Sequence, residues 1–309
     1  MLFKQYHCPT IPPYNTEQRY STTNTSSTGT YMNQVANQVR ADITQAIKTD
    51  KLVLPTLPEV ALQVREAAQN PNASLDQLAQ IIGRDAALSA RIIRVVNSPL
   101  LRANRAIEDL KTAVMRMGLD YTANLATGLA MEQMFQATSD LVDRRLRAVW
   151  SRSSEVAGIC HVLCKHYTRL RPDQATLAGL IHKIGILPVL TYAEEHPSLL
   201  VDSLTLDRVI EDLQGPLGNL ILKTWEFPEE VRNVPTEHLN FERKIDGADY
   251  ADIVTVALLQ SHMGDESPLG QMDCRQVAAF ERLGMDPDMQ SAEAEDLSDE
   301  MAAAMSVLQ

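Results

Sequence analysis

The chain has 309 residues, 45% of them hydrophobic, which is enough for one large or two ordinary domains with a real core. A formal net charge of -12 argues against binding nucleic acid over the whole surface. Four irregularly spaced cysteines, Cys8, Cys160, Cys164 and Cys274, make no disulfide framework and fit a reducing compartment.

Residues 1–30, with Pro9, Pro12, Pro13 and a Ser/Thr run, have no periodicity and are expected to be disordered. A helix is predicted from Tyr31 to about Thr49, with Val35, Val39, Ile43 and Ile47 on one face. Thr56-Leu-Pro-Glu59 and Ser74-Leu-Asp-Gln77 read as capping boxes opening the next two helices. Gly83 stops the second, and Asp85 caps a helix carrying Leu88, Ile92, Val95 and Val96 up to Asn97-Ser98-Pro99. Asp109 starts another helix, Gly118 closes it, and Asp120 caps a longer one to about Phe135.

A second lobe begins near Leu141, and Val149, Val156, Ile159, Leu163 and Tyr167 lie along one helix face. Pro172-Asp173 opens a helix through Ala178-Gly-Leu-Ile-His-Lys-Ile-Gly-Ile-Leu-Pro-Val-Leu190, whose only polar side chains are His182 and Lys183. So apolar a helix belongs in a core, and Pro188 should kink or end it near Leu187. Leu204–Leu213 is amphipathic, Gly215-Pro-Leu-Gly218 leads to a helix ending at Trp225, and Tyr250–Leu259 packs inside. From Asp286 to the end there are seven acids and no Lys or Arg, so this tail is expected to be mobile, with at most a short terminal helix. No strand is predicted, and short helices with short connections indicate an all-α, bilobed bundle. No apolar run is expected to reach the roughly 20 residues that span a bilayer. No signal peptide is evident, so the cytoplasm is the expected location.

The words Leu57-Pro-Glu-Val60, Arg84-Asp-Ala-Ala-Leu88, Asn97-Ser-Pro99, Met117-Gly-Leu119 and the His182 helix occur in the order of a known family. Over roughly residues 50–265 the chain resembles the HDOD module, the HD-related output domain of bacterial signalling proteins and a divergent branch of the HD phosphohydrolases. With the composition of the ends, four parts are expected: a disordered segment 1–30, an N-terminal helical lobe 31–140 of HDOD type, a degenerate HD-like lobe 141–265, and an acidic, partly mobile segment 266–309.

The resemblance also implies a site. HD enzymes hold metal with histidines and aspartates from separate helices, and the metal activates water at a phosphoryl centre. By register the first histidine falls at Arg152 or its neighbours, the second matches His182, Lys183 replaces the paired Asp, and Leu258 replaces the last Asp. An ammonium standing where a divalent cation binds repels it by about 4 kcal/mol at about 4 Å and an effective dielectric of about 20. No metal or other cofactor is therefore expected, nor catalysis. His182 then reads as a satisfied core histidine. Lys183 either snorkels or takes the vacant metal position and pairs with Asp249 or Asp252. His238, in a loop, reads as a surface or capping residue. In Cys160-His161-Val-Leu-Cys164-Lys-His166 the two thiols share a helix face that the histidines do not, so zinc is not expected there either.

The function this favours is a non-catalytic signalling module that works on a protein partner, with no membrane role. A cluster of Arg84, Arg91, Arg94, Arg102 and Arg105 in the acidic chain is the expected contact surface, or alternatively a binder of the chain's own acidic tail. The alternatives are a DNA-binding regulator, using the helix-turn-helix-like segment at 75–96, and a residual phosphohydrolase.

Overall fold

The computed structural model describes residues 27–101, 105–287 and 292–308, and its regular elements are all helical. The first half comprises α1 (Ser27–Lys48), α2 (Glu59–Gln69), α3 (Leu75–Ile82), α4 (Ala86–Val96), α5 (Leu110–Met117) and α6 (Leu119–Ala130). The second comprises α7 (Asp140–Tyr167), α8 (Pro172–Ile181), α9 (Ile186–Glu195), α10 (Pro197–Val201), α11 (Ser203–Thr224), α12 (Glu229–Arg232), α13 (Val234–Glu237) and α14 (Tyr250–Ser261). Two helices follow, α15 (Ala278–Leu283) and α16 (Ala292–Met305). The disordered segment expected at 1–30 lies, as far as residue 26, outside the described residues.

Local signals fix most helix starts. Ser74 Oγ accepts from Gln77 N–H at 3.1 Å, Asp85 from Leu88 N–H at 3.0 Å, and Asp109 from Thr112 N–H at 2.8 Å. Each such cap is worth about 1 kcal/mol. The box expected at Thr56 does not form. Pro58 holds the N-cap position of α2 without a side-chain bond, and the Glu59 carboxylate takes the Gln63 amide instead. Gly118, at a positive φ of 80°, both closes α5 and caps α6, so Asp120 falls inside the first turn and pairs with Arg171.

The core is built on α7 and α8, an antiparallel pair that touches where Gly179 lies against the Ala157 backbone. Their buried faces include Val156, Ile159, Leu163, Leu177, Leu180 and Ile181. The apolar stretch breaks at His182–Gly185, earlier than expected. Pro188 sits instead in the first turn of α9, where a missing N–H costs nothing. A Cβ at Gly185 would collide with the Gln214 carbonyl of α11, so this close approach fixes the turn that carries His182 and Lys183. α11 in turn runs unbroken through Gly215-Pro216, which had looked like a linker. Helix packing against α13, where Gly215 and Gly218 meet Pro235, overrides the local breakers.

Two placements differ from the four-part division. α1 packs on α11 of the second half, where Arg40 pairs with Asp212 at 3.1 Å. The acidic C-terminal stretch is docked: Leu297, Met301, Ala304, Val307 and Leu308 are buried, and α16 lies on α7, where a Cβ at Gly158 would strike the Ala304 carbonyl. Glu300 there holds Lys165 at 2.8 Å and His166 at 3.0 Å. The stretch Pro172–Glu195 is long and apolar enough to cross a membrane, against the expectation that no run would be. It is 83% buried inside the protein over its most apolar window, and the turn at His182–Gly185 splits it in two.

Candidate functional site

The turn between α8 and α9 delivers His182 and Lys183 to one end of the α7–α8 pair. One turn beyond the Ala157–Gly179 contact, the antiparallel course of α7 brings Arg152, Ser153 and Ser154 alongside. α14 closes the group, since Arg152 Nη1 donates to the Ser261 carbonyl at 2.6 Å and to Glu155 at 2.9 Å. Leu258 is buried on α14, and His262 Nδ1–H donates to its carbonyl at 2.9 Å.

His238 completes the centre, contrary to its reading as a surface residue. It is 0% exposed, as is His182, and the two rings meet edge to face with centroids 5.1 Å apart. His182 Nδ1–H donates to Gly179 O at 2.7 Å, and His238 Nδ1–H to Val234 O at 2.9 Å. A carbonyl only accepts, so each Nδ1 carries a proton, and in the neutral ring Nε2 carries the lone pair. Burial, with His238 and Lys183 adding to it, pushes the His182 pKa well below its ordinary value and keeps that ring neutral. Its buried Nε2 has no hydrogen-bond partner among the described residues.

Lys183 is half-buried and makes no hydrogen bond or ion pair among the described residues. Burial lowers its pKa, and the Arg152 charge lowers it further. The pairing with Asp249 or Asp252 does not occur. Arg243 binds both acids, 2.9 Å from Asp252, and Arg282 binds Asp252 at 2.6 Å. The two acids also form the capping box of α14. Their carboxylates are therefore held inside that helix start.

These residues do not fit a divalent metal. Two imidazoles have the tautomer a metal would want, but no carboxylate joins them, and Arg152 and Lys183 bring two positive charges. No group of three or more metal-ligating side chains occurs among the described residues. The Cys160–His166 segment is also dispersed: His161 Nδ1 meets Tyr121 Oη and Thr176 Oγ1, while His166 turns outward to Glu300.

Of the arginine cluster, Arg84, Arg94 and Arg105 are exposed, and Arg102 lies outside the described residues. Arg91 leaves the set because it is engaged inside the protein. It bonds Glu132, stacks 6.0 Å from the Trp150 ring and donates to the Leu308 carbonyl at 2.8 Å. That contact with the C-terminal segment is to a backbone carbonyl and to none of its acids. α4, the would-be recognition helix, contacts α3, α5 and α6 and buries Leu88, Ile92, Val95 and Val96.

The sequence comparisons agree with this architecture. The HDOD domain model matches residues 54–241, more than half of the chain. A candidate metal-dependent phosphohydrolase from Shewanella amazonensis SB2B is 34% identical, with a TM-score of 0.75, over 87% of this chain and 99% of its own. An HDOD domain protein from Geobacter sulfurreducens, 19% identical with a TM-score of 0.61, shares the fold over 89% of this chain and 98% of its own. An uncharacterized protein of Treponema pallidum (strain Nichols) is 26% identical over 205 residues, 60% of this chain, which spans only 38% of that protein's length. With the all-helical body, the match over residues 54–241 places this chain in the HDOD domain family.

Proposed function

We propose that the protein is a non-catalytic HDOD regulatory module of a cytoplasmic signalling system, acting through contact with another protein. The observation that carries this reading is Lys183, an unneutralised cation beside His182 where catalysis needs a metal-binding acid. The nearest buried acid of α14, Asp252, is engaged by two arginines. A rigid helical body with no competent site is suited to presenting a surface. Arg84, Arg94 and Arg105 are the exposed cations proposed for that surface, and planar guanidinium groups match carboxylates of an acidic partner. Free thiols at Cys160, Cys164 and Cys274 accord with a reducing compartment.

The test is affinity capture from native cell extract with wild type and with the Arg84→Glu, Arg105→Glu double variant at one salt concentration. The reading expects a protein retained by wild type and lost by the folded variant. A salt-dependent mobility shift with duplex DNA, lost in that variant, would favour the DNA-binding reading instead. Identical capture by both proteins would remove this face from consideration.

A further inference from the structure

At the opposite end of α8 from His182, a cleft of about 180 Å³ lies between the two halves of the fold. α2 and α6 wall it on one side, α8 and the approach to α12 on the other. Its floor is apolar, with Ala123, Leu177 and Phe227 buried. The Arg65 guanidinium lies 4.0 Å over the Phe227 ring, and its Nη atoms donate to the Trp225 and Glu226 carbonyls at 2.7 and 3.1 Å. The group is thus held in place, and no second ring covers it among the described residues. Two side-chain amides line the same cleft. Asn124 Nδ2 donates to Asp173 Oδ2 at 2.7 Å, and a carboxylate only accepts, so Asn124 Oδ1 is left as an acceptor. The Tyr250 hydroxyl accepts from the Arg171 N–H at 3.3 Å and gives its one proton to Gln174 Oε1 at 2.6 Å, which leaves Gln174 Nε2 as a donor. Neither atom has a partner among the described residues. The charges around the cleft are matched. Arg171 pairs with Asp120 at 3.0 Å and with Asp173 at 2.7 Å, and Glu226 offsets Arg65.

We infer that this cleft is a binding site for the adenine ring of a nucleoside. Its volume suits a flat ring system, since a buried cavity of about 150 Å³ holds benzene. The ring stacks on Arg65 and Phe227, as bases do on guanidinium and aromatic faces. Its edge answers the two amides. The exocyclic amine donates to Asn124 Oδ1, and a ring nitrogen beside it accepts from Gln174 Nε2. Adenine needs one acceptor and one donor along that edge, which is the complement the amides offer. Guanine, cytosine and uracil each bring a further carbonyl or amine, which would stay unpaired over apolar side chains. The matched charges leave no unpaired cation for a phosphate, so the base is recognised and a 5′-phosphate adds little. The ring touches α2 and α6 on one side and α8 and Phe227 on the other, so its binding ties the two halves together at a place apart from the His182 centre.

The test is calorimetric titration of the full chain with adenosine, purine riboside, adenosine 5′-monophosphate and indole. One adenosine per chain is expected. Purine riboside lacks the exocyclic amine and leaves Asn124 Oδ1 unpaired, so it should bind at least about tenfold more weakly. The monophosphate should bind within about threefold of adenosine, because exposed charges that are already paired add little. Gln174→Glu keeps the acceptor for Tyr250 but turns the donor into an acceptor facing the ring nitrogen, and should weaken adenosine at least about tenfold. If that variant does not fold, Ala68→Phe, which fills the cleft from α2, should abolish binding. The ligand series depends on neither variant. No binding of adenosine, purine riboside as tight as adenosine, or folded variants that bind as wild type would overturn the inference. So would a monophosphate at least about tenfold tighter than adenosine, which would put the ligand on unpaired cations elsewhere. Indole as tight as adenosine would overturn it in favour of an aromatic side chain of a protein partner.

Discussion

His182 and His238 meet edge to face in the core, 5.1 Å between ring centroids, each with Nδ1–H fixed on a backbone carbonyl one helical turn before it. This is how imidazoles are held in a metal centre, by a hydrogen bond behind the ring that sets the tautomer. In this chain the residue next to His182 is a cation, Lys183.

Lys183→Met should stabilise the protein at pH 7 by on the order of 1 kcal/mol, the usual gain from removing an unmatched charge. The sign follows from the lowered pKa. Below the folded pKa the native state bears the full cost of the buried charge. Between the folded pKa and the ordinary value of 10.5 that cost fades as the amine loses its proton. The advantage of the variant should therefore shrink as pH rises toward 10.5. Urea unfolding at pH 7 and pH 10 checks this, and a variant less stable than wild type at pH 7 would mean that Lys183 has a favourable partner.

Asp252→Asn should cost about 3–5 kcal/mol, because it leaves Arg243 and Arg282 buried around a neutral amide. Denaturant unfolding measures it. A loss below about 1 kcal/mol would mean that the carboxylate is not the structural anchor of α14 and is available for other work.

Arg91→Ala should lower stability by about 2–3 kcal/mol through loss of charged hydrogen bonds to Glu132 and the Leu308 carbonyl. Arg105→Glu, on an exposed side chain, should stay within about 0.5 kcal/mol of wild type. Thermal melts of the two variants separate a structural arginine from a surface one. Equal melting temperatures would contradict the engagement of Arg91 with Glu132 and the Leu308 carbonyl.

His161 should make the protein acid-sensitive. Burial, with the Lys165 charge adding to it, lowers its pKa from 6.5 to about 4 against the opposing pull of Asp173 and Glu300. Its contribution is complete above the unfolded value and is lost as pH falls from 6.5 toward 4. The slope is about 1.4 kcal/mol per pH unit, or about 3 kcal/mol in all. His182, lowered in the same direction, adds to the loss in that window. Stability of wild type and His161→Gln at pH 7.5 and 4.5 checks the sign, the variant being expected to have the shallower profile. Parallel profiles would show that the ring is not held neutral.

What the sequence made legible was local. Ser74, Asp85 and Asp109 could be read as caps because each satisfies an N–H only three residues away. The all-helical class followed from the same periodicity. Gly215-Pro216 misled because the contacts that keep α11 continuous come from Pro235 and the Gly185 turn, remote in the chain. The C-terminal segment misled because its acids were counted while Leu297, Met301 and Ala304, spaced at four and three, were not weighed as a helix face. At the site, His182, Lys183, Arg152 and Leu258 were located by resemblance; His182 and Lys183 lie on the α8–α9 turn, Arg152 on α7 and Leu258 on α14. His238 was missed as a core residue because only the fold brings α13 against the α8–α9 turn.

We propose that Lys183 leaves the His182 centre unable to run metal-dependent phosphoryl chemistry. The most direct test is elemental analysis of the purified full chain together with phosphodiester turnover by the same preparation after incubation with manganese. No stoichiometric transition metal and no turnover above buffer are expected. Near-equimolar manganese, iron or zinc, with turnover that disappears together with the metal in His182→Ala, would contradict it.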